Sequence, residues 1–213
     1  MPLRSLDPLA VPRALTSSAL ALGTAVRGAR VFHPRGAARA ATVETDGGGS
    51  WGARLLDEAG RHDAVVRISR GAGLPEPLPD VVGLAVRLDG LGRGGGPLDL
   101  LVNTAGGPPG LRHVFLPAPL GRTFSSVLPY RTGSGRTVLL GAREAGDGYD
   151  LLAAPLAGGW ARWGRLTLGD PLPSTVSEEL RFRPTLGADD LQPVALFRAV
   201  RDLSYRLSQA VRP

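Results

Sequence analysis

The sequence predicts an α+β fold built chiefly of short antiparallel strands, and three observations predict it. Thirty glycines and 19 prolines punctuate the 213 residues, a usage that favours many short elements joined by turns over a helical bundle. Runs of β-branched and aliphatic residues, such as AVVRISR at 64–70 and VVGLAVRL at 81–88, lie between those turns. Only from Pro193 onward does the apolar period lengthen to that of a helix.

Residues 1–27 read as an irregular start plus one short amphipathic helix. Alternation over 29–43 predicts a strand broken by Pro34-Arg35-Gly36, and Asp46-Gly47-Gly48-Gly49-Ser50 is a turn by composition. Strands are expected at 64–70 and 81–88, joined by a loop stiffened by Pro75, Pro77 and Pro79. A glycine-rich turn over 90–96 leads to a fourth strand, LDLLVNT at 98–104, and loops resume at 105–110. Further strands are predicted at 136–143, 149–156 and 163–168. The last segment, VALFRAVRDLSYRLSQAV, places Val194, Leu196, Phe197, Val200, Leu203 and Leu207 at helical spacing with no internal proline or glycine.

Composition removes several chemistries. There is no cysteine, so disulfides, zinc–thiolate sites, iron–sulfur clusters and thiolate-ligated haem are excluded. Every basic residue is arginine, so neither a Schiff-base lysine nor a P-loop lysine is available. The net charge of +6 is spread along the chain, which argues against a nucleic-acid footprint. Residues 14–26 form a mildly apolar stretch behind Arg13, but Thr16, Ser17 and Ser18 interrupt it. It is read as a helix rather than a signal peptide, and no run approaches the roughly 20 apolar residues of a membrane span. A cytoplasmic enzyme with no integral membrane segment is the expectation.

With three histidines, His33, His62 and His113, and no HExxH, the sequence offers no ordinary multi-histidine metal site. His62-Asp63 lacks partner histidines and reads as a turn. The GxSxG nucleophile pattern is also missing. On the C-terminal helix Arg201 and Tyr205 stand at i and i+4 and share a face, and Arg212 returns to that side after about three turns. A guanidinium beside a phenol favours the phenolate, lowering a pKa that starts at about 10. A plain surface contact accounts for the same pair. Arg30 and His33 lie three apart in a predicted strand, Arg67 and Ser69 two apart on one strand face, and Asn103 at a strand end. Each has a bland structural explanation when taken alone.

Taken in order, these segments resemble the haem-site motifs of haem catalases. The matching stretches are RVFHPRG (30–36), VRIS (66–69), DVVGLAVR (80–87), DLLVNT (99–104) and RDLSY (201–205). The segment WGRLTLGDPL through LRFRP (163–184) is similar to the catalase segment before the proximal helix. The resemblance covers 28–213, a catalase-like haem-binding domain, and leaves 1–27 as an N-terminal extension. It implies an antiparallel β-barrel of the catalase type, with the short N-terminal helix and a C-terminal proximal helix across one opening.

The resemblance also implies a cofactor and roles. Haem b would have its iron bound by Tyr205, held as phenolate by Arg201. His33 would be the distal acid/base, Ser69 would fix its imidazole, and Asn103 would be its partner over the iron. Arg30, Arg67 and Arg212 would meet the propionates, and Phe32 would pack near the porphyrin plane. The implied activity is a haem-dependent peroxidase or catalase reducing hydrogen peroxide or organic hydroperoxides through an oxoferryl intermediate. Its partners would be peroxide and a small organic electron donor, and a homo-oligomer is compatible with it. One departure is Ala105-Gly106-Gly107-Pro108-Pro109, where catalases usually place a proline and paired phenylalanines. A more open pocket follows, suited to peroxidase chemistry. Two other readings remain: a haem-free catalase-fold ligand-binding protein, and a haem-dependent fatty-acid hydroperoxide isomerase or dehydratase.

Overall fold

The structure, a computed structural model, describes residues 35–71, 74, 77–118, 120–121, 123–183 and 185–194. The extension over 1–27, its boundary at 28 and the two expected helices lie outside the described residues.

Twelve-residue strands β1 (Arg35–Asp46) and β2 (Ala59–Arg70) pair along their whole length and set the barrel's frame. Between them Gly47 and Gly48 take φ of 74° and 73°, a conformation that only glycine adopts cheaply. A short helix, α1 (Arg54–Asp57), follows this turn. Asp57 ties the connection together by accepting the backbone N–H of Trp51, Gly52 and Ala53 at 2.7, 2.6 and 3.1 Å.

The chain continues through β3 (Val82–Leu88), β4 (Leu98–Ala105), β5 (Thr123–Ser125), β6 (Tyr130–Thr132), β7 (Thr137–Ala145), β8 (Gly148–Pro155) and β9 (Ala161–Pro171). Helix α2 (Ser174–Glu179) and the short β10 (Leu191–Pro193) complete the described elements. All pairings are antiparallel. Eight strands run β7-β5-β4-β3-β2-β1-β9-β8 and close through the β7–β8 pair, while β6 and β10 extend from β7. Closure removes the exposed edges that an open sheet of this length would present.

Several expectations need correction. Strand β1 runs unbroken from Arg35 through Gly36 to Asp46, because a full register with β2 supplies its hydrogen bonds. His62 and Asp63 are not a turn. They lie inside β2, opposite Val43 and Thr42, since β2 begins at Ala59 and the same ladder carries its polar end. Strands β5 and β6, three residues each, are too short to show a period, and α1 and α2 are likewise short. Pro193, expected to open the helix, ends β10.

Alternation along the strands sorts side chains cleanly. Val43, Val66, Leu84, Val86, Leu100 and Leu166 face inward and form one core with Trp163 and Phe124. Phe124 packs edge-on against Tyr149 with ring centroids 5.6 Å apart. A void of about 20 Å³ lies beside Leu84, Leu100, Leu140, Leu151 and Trp163, far too small for a flat cofactor.

Tyr130 is 2% exposed. Burial pushes its phenol well above the ordinary value, against a smaller opposing hydrogen bond from the Leu101 backbone. Up to pH about 10 the phenol is protonated in both folded and unfolded chains and adds no pH dependence. Above that, the unfolded chain releases a proton that the folded one retains, so stability falls as pH rises. Tyr130→Phe is expected to make this alkaline decline shallower in urea-unfolding midpoints taken between about pH 9 and 11.

Candidate functional site on the outer wall

The cross-strand register draws one line around the barrel. Gly36 on β1 faces Ser69 on β2, which faces Gly83 on β3, then Asn103 on β4, Ser125 on β5 and Gly141 on β7. Directly opposed residues point to the same side of a sheet. Because Ile68, Leu84 and Val102 point into the core, this line lies on the barrel's outer wall. Gly83, itself buried, puts no side chain of its own between Ser69 and Asn103, which stand two strand spacings, about 10 Å, apart.

Arg67 shares this face, two residues before Ser69 on β2. A Cβ on Gly36 would lie 2.7 Å from Ser69 Cβ and 2.9 Å from Arg67 Nε, so glycine there is what admits both side chains. Burial, and then the charge of nearby Arg181, lower the pKa of Arg67. Ser69 is 8% exposed, whereas Asn103 is half-buried. The Asn103 amide makes no hydrogen bond with the described residues.

Beyond Asn103 the line is held rigidly. Ser125 Oγ accepts the Val127 N–H at 3.2 Å. Val127 itself has φ of 60°, a strained setting for a β-branched residue. His113 Nδ1 lies 2.6 Å from the Val127 carbonyl and pins the loop after β4 to this corner. Nearby, Arg112 is 2% exposed and stacks on Trp160 with its guanidinium 4.5 Å from the ring centre.

On the other side of Arg67 the wall is cationic. Arg87 forks onto the fully buried Asp99 through Nε–Oδ1 at 2.8 Å and Nη2–Oδ2 at 2.7 Å. The same carboxylate accepts the Arg183 N–H at 2.6 Å. The chain after α2 is thereby bound across β3 and β4.

Of the residues singled out from sequence, the structure brings Arg67, Ser69 and Asn103 onto one external face. His33, Arg30, Phe32, Arg201, Tyr205 and Arg212 lie outside the described residues. Ser125 went unread because its importance comes from register; Gly36, Gly83, Arg181 and Arg183 lie inside quoted motifs but were given no role there. Among the described residues there is no cluster of three or more His, Cys, Asp or Glu able to hold a metal. Nor is any described helix long and apolar enough to cross a membrane.

The described residues form a closed eight-stranded antiparallel barrel with Arg67, Ser69 and Asn103 on its outer wall. In fold, the chain is similar to a fungal catalase, with a TM-score of 0.57 and 13% identity. The match covers 92% of this chain and 62% of the catalase, so the chain spans less than two thirds of that protein. The fold is therefore catalase-like. No family model matches the sequence, and no curated protein matches it.

Proposed function

We propose that the chain is a cytoplasmic haem-dependent peroxidase or catalase acting on hydrogen peroxide or organic hydroperoxides. The observation that carries this reading is the outer-wall line that sets Ser69 and Asn103 on one face with a glycine between them, in a catalase-like fold. Three features support it: Gly83 stands between Ser69 and Asn103, the Asn103 amide makes no hydrogen bond with the described residues, and Arg67 shares the same face.

Haem b, when bound, supplies the redox centre at which the peroxide O–O bond is reduced. In this reading Tyr205 would hold the iron through its phenolate, and Arg201, four residues earlier in the sequence, would keep that oxygen ionised. His33 would serve as the acid/base that accepts and returns the peroxide proton. The Ser69 hydroxyl would orient the imidazole, and the Asn103 amide would donate to the peroxide oxygen. Arg30, Arg67 and Arg212 would hold the propionates, and Phe32 would pack beside the ring. After Asn103 the next aromatic residue is Phe115, so the loop lacks the paired phenylalanines of catalases. That opening supports access for organic hydroperoxides.

The test is an absorption spectrum of the protein produced with haem supply. A Soret band with high-spin ferric features is expected, lost in Tyr205→Phe and kept in His33→Ala with most peroxide reactivity gone. A band that survives Tyr205→Phe would remove the tyrosine as ligand. Absence of any band would favour the haem-free ligand-binding reading, which the altered 105–109 loop also supports.

A further inference from the structure

Beside the proposed haem face, the outer wall carries a second recess with its own chemistry. It is an open recess of about 400 Å³ between α2 with its following chain and the β3–β4 hairpin, of a size that admits a small molecule. Arg87, Arg181 and Arg183 line it on the polar side, and Pro97, Leu180 and Leu186 on the apolar side.

The three guanidiniums are not equivalent. Arg87 is fixed before any ligand arrives: Asp99 holds one edge, the Arg181 carbonyl accepts from Nη2 at 2.7 Å, and the Phe182 ring lies 5.0 Å from its centre. Its Nη1 makes no hydrogen bond with the described residues. Arg181 donates to the backbone carbonyls of Glu178 and Leu180. Neither Arg181 nor Arg183 pairs with a carboxylate among the described residues, and both side chains are exposed at the recess. Glu179 is the one acidic residue of the lining, and Arg87 is matched by Asp99 and influenced by Asp89 as well, so the cations left without a carboxylate partner among the described residues are Arg181 and Arg183.

We propose that this recess binds the carboxylate of a small amphipathic acid. The acid group sits among Arg181, Arg183 and Nη1 of Arg87, and the hydrocarbon body lies along Pro97, Leu180 and Leu186. A pre-fixed, uncommitted guanidinium edge lowers the ordering cost of binding, and the apolar side selects acids with a hydrocarbon body over bare anions. The site belongs to this chain's own residues and does not depend on haem.

Calorimetric titration of the full chain with decanoate tests it, with decanol as the uncharged probe. Saturable decanoate binding is expected, weakened at least about tenfold in R181Q/R183Q and unchanged in R61Q, whose exposed pair with Glu44 lies elsewhere on β2. E179Q, which removes the opposing carboxylate from an exposed position, should bind decanoate more tightly. Decanol binding as tightly as decanoate, or unaltered affinity in both R181Q/R183Q and E179Q, would overturn the proposal. Titration of haem-loaded protein separates this site from the haem reading. Equal affinity with and without haem supports an independent site, and displacement of decanoate by haem would assign the recess to haem instead.

Discussion

Asp99→Ala is expected to lower the unfolding free energy by about 3–5 kcal/mol, the cost of breaking a buried, hydrogen-bonded ion pair from one side. Asp99 is fully buried and holds three donors: two from Arg87 and the N–H of Arg183. Removing it strands a guanidinium that is 19% exposed, and it cuts the bond that ties the chain after α2 to the barrel wall. The pKa of Arg87, raised chiefly by its hydrogen bond to Asp99, runs in the same direction, since the pair favours the charged form. Urea unfolding with an unchanged m-value would show the shift as a lower midpoint. The double variant Asp99→Leu with Arg87→Leu should recover most of the loss, because it leaves no buried charge without a partner. If the single variant costs less than about 1 kcal/mol, the value typical of an exposed pair, the fork is not what anchors that segment.

The strands legible in the sequence were those whose side chains alternate over seven or more residues. AVVRISR and VVGLAVRL announce β2 and β3 because one face of each is buried and the other is not. The polar start of β2, AGRHD, gave no such contrast; its pairing with β1 made it a strand. Strand β5 is dictated by barrel closure and β6 by its pairing with β7, tertiary demands that three residues cannot encode. Ser69 and Asn103 were recognisable singly through motifs. That Gly83 stands between them, or that Gly36 clears room for Arg67, depends on register, and register is set by contacts far apart in the chain. Arg181 and Arg183 sit in the quoted LRFRP segment, but their contacts could not be read for a related reason: the partners on β3 and β4 are more than eighty residues away.

Asn103→Ala, in haem-loaded protein, is expected to reduce peroxide turnover by about 10²–10³-fold, the usual loss when one pre-placed hydrogen-bond donor is removed from a reacting oxygen. Its stability should hardly change, because the half-buried amide makes no hydrogen bond with the described residues. The neighbouring position on the same line gives the contrast. Ser125 is fully buried, and its hydroxyl accepts the Val127 N–H in a strained turn. Ser125→Ala should therefore cost about 1 kcal/mol of stability while leaving turnover largely intact. Measuring thermal unfolding and peroxide consumption on both variants separates the two roles. If Asn103→Ala lowers stability and spares turnover, the amide is structural, and the outer-wall line loses the group on which its proposed chemistry turns.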